Sequence, residues 1–435
     1  MRARIDFWTS QLKSSFWLVP ATMTTLALAM AFVMLALDGL LADPAVGGWD
    51  DPIEVGPEGA RLVLSTIAGS MITVASLVFS MTLVALTLAA SNIGPRVLDR
   101  YMANWVNQVA LGLFLATFVY ALIVLCAVRT GDPPFVPRLA LALAMVLAIS
   151  RFGWLIFFIH ELSSSIQVDN AVASVGRGLL VTLEKAGESH ETAPEGPDRL
   201  PEPDPSAMVT ADRSGYLQTV DGDALCQAAV EHDVVIVMDA RPGDFVLPTS
   251  SLARIAGRGV SEIGPAIRTA VVLGPRRTAA QDLAFSFNLL VEIAARALSP
   301  GVNDFFTALA CIDHLAAALA QALVNGPPDP RRCDAQGRLR LVLRPVSVAD
   351  LLDGVFNPLR PMAEGSLPVH LRLIEVLAML APSARSASDR DLLRHHGSLI
   401  AEAARRDAHN DADRHAIDHR HDRLTTALDR PAWAE

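Results

Sequence analysis

The chain has 435 residues, of which 51% are hydrophobic and 19% charged, and its mean hydropathy is +0.36. This balance is too apolar for an ordinary soluble protein and too charged for a bundle of membrane helices alone, so it predicts a membrane part joined to a sizeable soluble part. The net charge of −10 argues against a nucleic-acid partner, which would require a basic surface.

Four apolar stretches are long enough to cross a bilayer as helices. They cover about residues 17–37, 62–90, 107–128 and 138–160. The acidic, Gly- and Pro-rich segment 38–61 between the first two is predicted to be an exported loop. Basic residues gather at the other side of the membrane, namely Arg2, Arg4, Lys13, Arg96 and Arg100. This bias predicts that both termini are cytoplasmic.

The second span and the residues beside it carry nine Ser and Thr side chains. On a helix at about 100° per residue, all of them except Thr82 fall within an arc of about 140°. The candidate site residues in this arc are Thr66, Ser70, Thr73, Ser76, Ser80, Thr87 and Ser91. Either these small side chains let another helix approach closely, or their hydroxyls line an aqueous path and replace part of an ion's hydration shell.

The fourth span contains a further candidate, Arg151, near its middle, where a cation costs at least about 2.5 kcal/mol. No Asp or Glu lies at a similar depth in the predicted spans. The side chain either snorkels to the inner headgroups or forms a positive site beside the hydroxyl arc that favours anions. His160 and Glu161 mark the inner end of this span. A histidine there is either a pH-sensitive gate or an ordinary interfacial residue.

The domain boundaries follow from these patterns. Residues 1–16 are a cytoplasmic interfacial segment, 17–160 the four-helix transmembrane domain, 161–186 a juxtamembrane helix that continues the fourth span, 187–209 an acidic Pro-rich linker and 210–435 a cytoplasmic domain. Short strand patterns followed by helical ones predict an α+β class for that last domain. Within it, residues 338–344 alternate Arg and Leu, which predicts a half-buried strand.

Two short motifs stand out in the soluble part. Residues 241–244, Arg-Pro-Gly-Asp, have the composition of a type II turn and include the candidate residue Asp244. In the segment Ser-Pro-Gly-Val-Asn-Asp, residues 299–304, Asp304 is placed to cap a helix. The alternative is that Asn303 and Asp304 form an exposed polar site.

Near the C-terminus, His415 and His419 are four residues apart and would share a helix face. Without a third fixed ligand this spacing is a weak metal motif, and the interleaved arginines favour a solvated, salt-bridged helix. The four cysteines, Cys126, Cys226, Cys311 and Cys333, form no zinc or disulfide pattern. We therefore expect no metal and no cofactor.

Four stretches together carry a resemblance to a known family. They are STIAGSMITVASLVFSMTLVALTLAASNIGPR (65–96), FIHELSSSIQ (158–167), RPGDFV (241–246) and ALSPGVNDFFTA (297–308). With them the chain resembles the bacterial predicted membrane proteins catalogued as domain of unknown function 2254. The resemblance implies an integral inner-membrane protein with several N-terminal spans, and it implies no activity. This chain departs from the family pattern at Glu161, where a second His is expected, and at Phe305, where Pro is expected.

The sequence contains no phosphate-binding loop, no dinucleotide fingerprint, no nucleophile elbow and no HExxH motif, so an enzyme is not expected. The first hypothesis is an oligomeric inner-membrane channel or pore-like protein, favouring anions, with a cytoplasmic domain that assembles or gates it. Its partners would be the lipid bilayer, further copies of the chain and a small ion. The alternative is a membrane-anchored sensor or scaffold whose cytoplasmic domain binds a ligand or partner and whose spans do not conduct.

Overall fold

The computed structural model describes residues 17–41, 55–92, 94, 105–131, 134–165, 167–191, 208–257, 260–326 and 329–430. These residues form two compact units, one ending at Gln167 and the other beginning at Val168. The predicted interfacial segment 1–16 and most of the predicted linker, residues 192–207, lie outside the described residues.

The first unit contains four long helices. They are α1 (Leu18–Leu41), α2 (Pro57–Asn92), α3 (Trp105–Ala127) and α4 (Arg138–Ser165). The helix α3 is central and packs against the other three, which is why half of its span is buried. Its buried side chains include Phe114, Tyr120 and Val124. The four helices match the four predicted spans, although their ends differ from the prediction.

The end of α1 corrects one boundary. Asp38 was predicted to begin an exported loop, but the helix continues through it to Leu41 and the side chain is buried. Its two carboxylate oxygens accept hydrogen bonds from the backbone N–H groups of Leu139 and Ala140, each over 2.9 Å. Asp38 therefore caps the N-terminus of α4, where backbone donors lack partners within their own helix.

The helix that follows α4 is a separate element. The predicted continuation of the fourth span to about residue 185 is wrong, because α4 ends at Ser165 and a new helix, α5 (Val168–Glu191), begins three residues later. This helix belongs to the second unit, where it packs against two central helices, α8 (Leu283–Ala297) and α9 (Phe305–Asn325).

Two sheets form the strand part of the second unit. The strands are β1 (Met208–Thr210), β2 (Gly215–Val220), β3 (Val235–Met238), β4 (Phe245–Val246), β5 (Ser251–Ala256), β6 (Val271–Gly274), β7 (Arg331–Cys333) and β8 (Leu339–Val342). One sheet has the order β1-β5-β3-β8-β7 and the other β4-β2-β6. All pairs are antiparallel except β3 with β8. The predicted α+β class of this region is confirmed.

The strand β8 is not half-buried as its alternating pattern predicts. All four of its residues are buried, including Arg340, which is 5% exposed. The guanidinium group of Arg340 forms ion pairs with Asp334 and Asp233, both over 2.9 Å. Because two carboxylates neutralise it, the charged side chain is tolerated on the face that the sequence assigns to solvent.

Helices complete the second unit. Besides α5, α8 and α9 they are α6 (Gly222–Glu231), α7 (Val260–Ala270), α10 (Val348–Met362), α11 (Leu367–Leu380), α12 (Ala387–Asp407) and α13 (Asp411–Asp429). Among the described helices, five are long and apolar enough to cross a membrane, α1 to α4 and also α9. Within its unit, α9 packs against α5, α8, α10 and α11.

Candidate functional site

The face of α2 that packs within the first unit is apolar except for one hydroxyl. It lies against α3 and α4, and its buried members are Ala60, Leu64, Ile67, Ala68, Met71, Ala75, Val78, Thr82, Ala85 and Ala89. Thr82 is the residue that the sequence placed outside the hydroxyl arc, and it donates to the carbonyl of Val78 over 2.8 Å. The exception is therefore a core residue of the helix bundle.

The other hydroxyls lie on the opposite side of α2. All seven candidate residues are exposed, and we call them the hydroxyl face: Thr66, Ser70, Thr73, Ser76, Ser80, Thr87 and Ser91. At about 100° per residue, the centre of this face is about 180° from the centre of the buried face. The hydroxyl face thus points away from the rest of its unit, and the described residues of the unit leave it uncovered.

Most hydroxyls of this face already have a partner for their hydrogen. Thr66 and Thr73 donate to carbonyl oxygens four residues earlier over 2.8 Å, and Ser76 does so over 2.9 Å. Each hydroxyl oxygen still has lone pairs directed outward, which can accept a hydrogen bond or approach a cation. Leu62, Leu77, Val84 and Leu88 are also exposed on this side of α2, so the face contains apolar side chains as well as hydroxyls.

The spacing on this face also suits contact between two copies of the helix. A small hydroxyl residue recurs every seven positions, at Thr66, Thr73, Ser80 and Thr87. Gly69 lies three residues after Thr66, and Ser76 lies three residues after Thr73. Small residues at this heptad spacing allow close, left-handed packing of helices in a membrane. A Cβ added at Gly69 would meet nothing within 4 Å, which confirms open space at this position in the single chain.

Arg151 does not lie beside the hydroxyl face. It projects from the same side of α4 as the buried residues Ala144 and Phe158, toward α3, and its Nε donates to the Thr117 hydroxyl over 3.1 Å. Thr117 is 1% exposed and donates to the carbonyl of Leu113 over 2.8 Å. Sequence reasoning missed Thr117, although it is the only Ser or Thr in α3.

The other membrane-end candidates lie in the last turns of α4. His160 is exposed and Glu161 is partly buried, while the neighbouring Phe158 is fully buried. The gating role of His160 stays a prediction.

The Arg-Pro-Gly-Asp motif forms the predicted turn. The Asp244 N–H donates to the Arg241 carbonyl over 3.1 Å, and Gly243 has a φ of +99°, as the third position of a type II turn requires. A Cβ on Gly243 would collide with the carboxylate of Asp282, which is buried. That carboxylate caps α8 through the Phe285 N–H at 2.9 Å and pairs with Arg277 at 2.7 Å.

Arg241 links this turn to α10. Its Nη1 donates to the Asp350 carboxylate over 2.7 Å, and this hydrogen bond lowers the pKa of Asp350. Asp350 in turn belongs to the capping box that Ser347 forms at the start of α10. The motif therefore joins three elements of the second unit: the turn, α8 and α10.

A cavity of about 950 Å³ opens beside the turn. Its wall includes the start of α6 and apolar side chains such as Leu283, Leu343 and Val346. The charged lining residues are Arg241, Arg332, Arg344, Asp221, Asp223 and Asp329. Two of the carboxylates are engaged, since Asp221 caps α6 and Asp329 pairs with Arg331 over 3.1 Å. The volume is within the range of small-molecule sites.

Asp304 caps α9 as predicted. Its carboxylate accepts the Thr307 N–H over 3.1 Å and the Thr307 hydroxyl over 2.6 Å, and these bonds lower the pKa of Asp304. Asn303 beside it has a φ of +49°, a left-handed conformation that Asn tolerates better than most residues. Because its carboxylate is occupied by Thr307, Asp304 is a structural cap.

The two C-terminal histidines are exposed on α13. Two of the acidic residues around them pair with arginines, Asp418 with Arg405 over 2.8 Å and Asp411 with Arg414 over 3.0 Å. Within the described ranges no three His, Cys, Asp or Glu side chains come together as metal ligands would. The exposed histidines and the two ion pairs agree with the salt-bridged helix that the interleaved arginines predict.

Comparison with known proteins gives a family. The family model described as predicted membrane protein (DUF2254) matches residues 13–379. An uncharacterized protein of Mycobacterium bovis and one of Mycobacterium tuberculosis are each 29% identical to this chain over 433 residues, covering 97% of this chain and 82% of the relative. No solved structure matches the chain.

Proposed function

We propose that this chain, which belongs to the DUF2254 family of predicted membrane proteins, forms a homo-oligomeric channel in which copies of α2 turn their hydroxyl faces toward a shared aqueous path. The observation that carries the proposal is the position of that face, opposite the buried side of α2 and uncovered within its unit. Lipid tails form no hydrogen bonds with a row of hydroxyls, whereas water and a partly dehydrated ion can bind to these groups.

The heptad spacing on the same face supports contact between parallel copies. Thr66, Thr73 and Ser80 would sit at corresponding levels in neighbouring chains, as in a ring around an axis. Small side chains at the contact would leave room for a narrow path instead of filling it. In this proposal the protein lies in the bacterial inner membrane with both termini inside, the α+β region assembles or gates the oligomer, and no catalytic step is assigned.

Arg151 has a different role in this proposal from the one that the sequence suggests. Since its guanidinium group is bound to Thr117 between α3 and α4, it holds two helices together and does not face the path. We therefore assign it no part in selecting anions. The permeant species would be a small ion whose hydration shell the hydroxyls replace in part.

Ion flux into liposomes tests the proposal. The wild-type protein should release a potassium or chloride gradient, and the double variant Thr73→Leu/Ser80→Leu should abolish the flux because it replaces hydroxyls with bulky apolar groups. The matched control is Ser150→Leu, since Ser150 is an exposed hydroxyl on α4 that bonds its own helix carbonyl over 2.7 Å. Absence of flux in the wild type, or equal flux in all three proteins, would contradict the channel.

A second candidate, a membrane-anchored sensor, is favoured by the cavity beside Arg241. In this case the spans only anchor the chain, and the hydroxyl face of α2 meets lipid. The sensor predicts that Ser→Ala and Thr→Ala changes on the hydroxyl face leave the cellular phenotype intact, whereas Arg332→Glu in the cavity wall removes it. The channel predicts that the changes on the hydroxyl face remove the phenotype.

A further inference from the structure

The cavity beside Arg241 lies at the carboxyl ends of two strands of the second unit. The strands β3 and β8 are parallel neighbours, and Arg241 and Arg344, which follow them in the chain, both line the cavity. The two segments are in contact, because Arg344 Nη1 donates to the carbonyl of Asp239 over 2.7 Å. Ligands of α/β proteins bind just beyond the carboxyl ends of parallel strands. The cavity occupies the corresponding position here.

The acidic residues of the cavity wall are partly engaged by the protein itself. Asp221 caps α6 by accepting the Ala224 N–H over 3.1 Å, and Asp329 pairs with Arg331 over 3.1 Å. Asp223, in the first turn of α6, is exposed and forms no ion pair with a described residue. Because two carboxylates already lie at the start of α6, we assign no anion to this helix terminus.

Arg332 on β7 carries a charge that no described residue neutralises. It is partly buried, and its Nη1 donates to the backbone carbonyls of Asp329 and Arg331 over 3.2 and 3.1 Å. Neither carbonyl is charged, and no carboxylate in the described part of the chain forms an ion pair with this guanidinium group. The two bonds hold the group in place and leave Nε and Nη2 without a protein acceptor. A partly buried cation in this state favours an anion as its partner.

The other two arginines of the wall differ in how far they are neutralised. Arg241 pairs with Asp350 over 2.7 Å and serves as the link to α10. Arg344 is 3.7 Å from the carboxylate of Asp244, and its side chain is 56% exposed. An ion pair this long and this exposed contributes little. Arg332 and Arg344 are therefore the two arginines of the wall that can bind a ligand.

We propose that the cavity binds a small organic anion whose phosphate or carboxylate group is held by Arg332 and Arg344. A guanidinium group donates two parallel N–H bonds to either kind of anion. Apolar wall residues such as Leu283 and Leu343 contact the body of the ligand, and Asp223 accepts a hydrogen bond from a hydroxyl or amino group on it. The volume of about 950 Å³ suits an organic molecule and far exceeds that of a bare ion.

This inference rests on the ligand-binding role that the sensor candidate gives to the cavity, and it holds equally for a channel whose α+β region is gated by a ligand. Binding is measured in detergent without any ion flux. A protein that binds the anion but conducts no ions therefore refutes the channel alone, and a protein that conducts ions but binds no anion refutes this inference alone.

Ligand-observed NMR on the full-length, detergent-solubilised protein tests the inference, with empty micelles as the blank. The probes share one ring and differ in the group attached to it, namely phenyl phosphate, benzoate and uncharged benzamide. The variants are Arg332→Gln, Arg332→Lys and Arg344→Gln. The matched control is Arg406→Gln, because Arg406 is an exposed arginine of α12 that is not part of the cavity wall. Thermal unfolding shows which variants are folded.

We expect wild type to bind phenyl phosphate, benzoate or both at least about tenfold more tightly than benzamide, and the preferred probe identifies the anionic group of the ligand. Arg332→Gln should weaken anion binding about tenfold, the usual worth of a charge-assisted hydrogen bond. Arg332→Lys should weaken it less, because it keeps the charge but loses the planar fork. Arg406→Gln should bind like wild type.

Two results would overturn the inference. The first is equal binding of the three probes to wild type, or no binding of any. The second is unchanged anion affinity when the arginines of the wall are replaced. If Arg332→Gln does not fold, Arg344→Gln decides the question, since a side chain this exposed is not needed for folding.

Discussion

The Nε of Arg151 on α4 donates a hydrogen bond to the hydroxyl of Thr117 on α3 over 3.1 Å. This bond places the charge of a mid-span arginine inside the helix bundle, opposite the only Ser or Thr of the central helix. It separates two features that the sequence suggests as parts of one path, the arginine and the hydroxyl face of α2. The predictions below follow from this arrangement and from three other contacts.

Removing the Arg151–Thr117 bond should weaken helix packing without changing ion preference. We expect a double-mutant cycle of Arg151→Gln and Thr117→Val to give a coupling of about 0.6 kcal/mol, the average for hydrogen bonds between membrane helices. The measurement is unfolding of the detergent-solubilised protein. The ratio of chloride to potassium flux should be equal in wild type and Arg151→Gln. A shift of that ratio toward potassium would instead place Arg151 in the path.

Replacing Asp38 should destabilise the junction of α1 and α4. In Asp38→Ala two backbone N–H groups at the start of α4 lose their acceptors, and the loss of such a cap costs about 1–2 kcal/mol. Asp38→Asn keeps one acceptor and should cost less. The unfolding midpoint in detergent should decrease in the order wild type, Asp38→Asn, Asp38→Ala. Glu58→Ala in the first turn of α2 is the control, since Glu58 is exposed. An Asp38→Ala variant as stable as this control would contradict the capping role.

Gly243→Ala should destabilise the second unit for two reasons. A non-glycine residue with a φ of +99° is strained, by about 1–3 kcal/mol, and the new methyl group would displace the Asp282 carboxylate from its position at the start of α8. Gly301→Ala is the control because a Cβ there meets nothing within 4 Å. The midpoint of thermal unfolding should fall for Gly243→Ala and stay unchanged for Gly301→Ala. Equal midpoints for the two variants would show that the turn adapts.

The stability of the second unit should fall as pH drops below about 6.5, the pKa of an unperturbed histidine. Burial lowers the pKa of His396, partly offset by Asp353, whose carboxylate lies 3.0 Å from Nε2. Burial also lowers the pKa of His370. The unfolded chain then binds protons at a higher pH than the folded one, so stability is full above the unfolded pKa and declines as pH falls.

This pH dependence can be measured as the unfolding midpoint at several pH values. The variant His396→Gln should show a flatter profile than wild type, whatever its absolute stability. The exposed His409, changed to Gln, should leave the slope unaltered. Parallel profiles for wild type and His396→Gln would show that His396 does not contribute to the pH dependence of stability.

Much of the fold could be predicted from local sequence patterns. The four spans follow from unbroken apolar stretches, the turn at Gly243 from its Pro-Gly-Asp composition, and the cap of α9 from Asp304 before an apolar helix. In each case the interaction that matters lies within a few residues of the chain. The angular position of the hydroxyl face was also predictable, because a helix has a fixed rotation per residue.

Interactions between distant parts of the chain could not be predicted. Asp38 looks like a loop residue because it begins an acidic, Gly-rich segment, and its partners are 101 and 102 residues away. Arg340 looks solvent-facing because its neighbours are Leu, but Asp233 and Asp334 neutralise it. The partner of Arg151 is likewise on another helix. A charged side chain is buried where the fold brings a partner to it that pairs with its charge or its hydrogen-bonding groups. The sequence around the charged residue does not show which distant residue that partner is.

The most direct test of the channel is whether water reaches the hydroxyl face in the assembled membrane protein. In a background with the four native cysteines changed to Ser, Thr73→Cys, Ser76→Cys and Ser80→Cys are treated with a charged, membrane-impermeant methanethiosulfonate. The control is Ile149→Cys on α4, where the native side chain is 71% exposed and apolar. We predict modification at the three α2 positions and none at Ile149→Cys. Unreactive cysteines at all four positions would mean that the hydroxyl face meets lipid or a dry helix, and would contradict the channel.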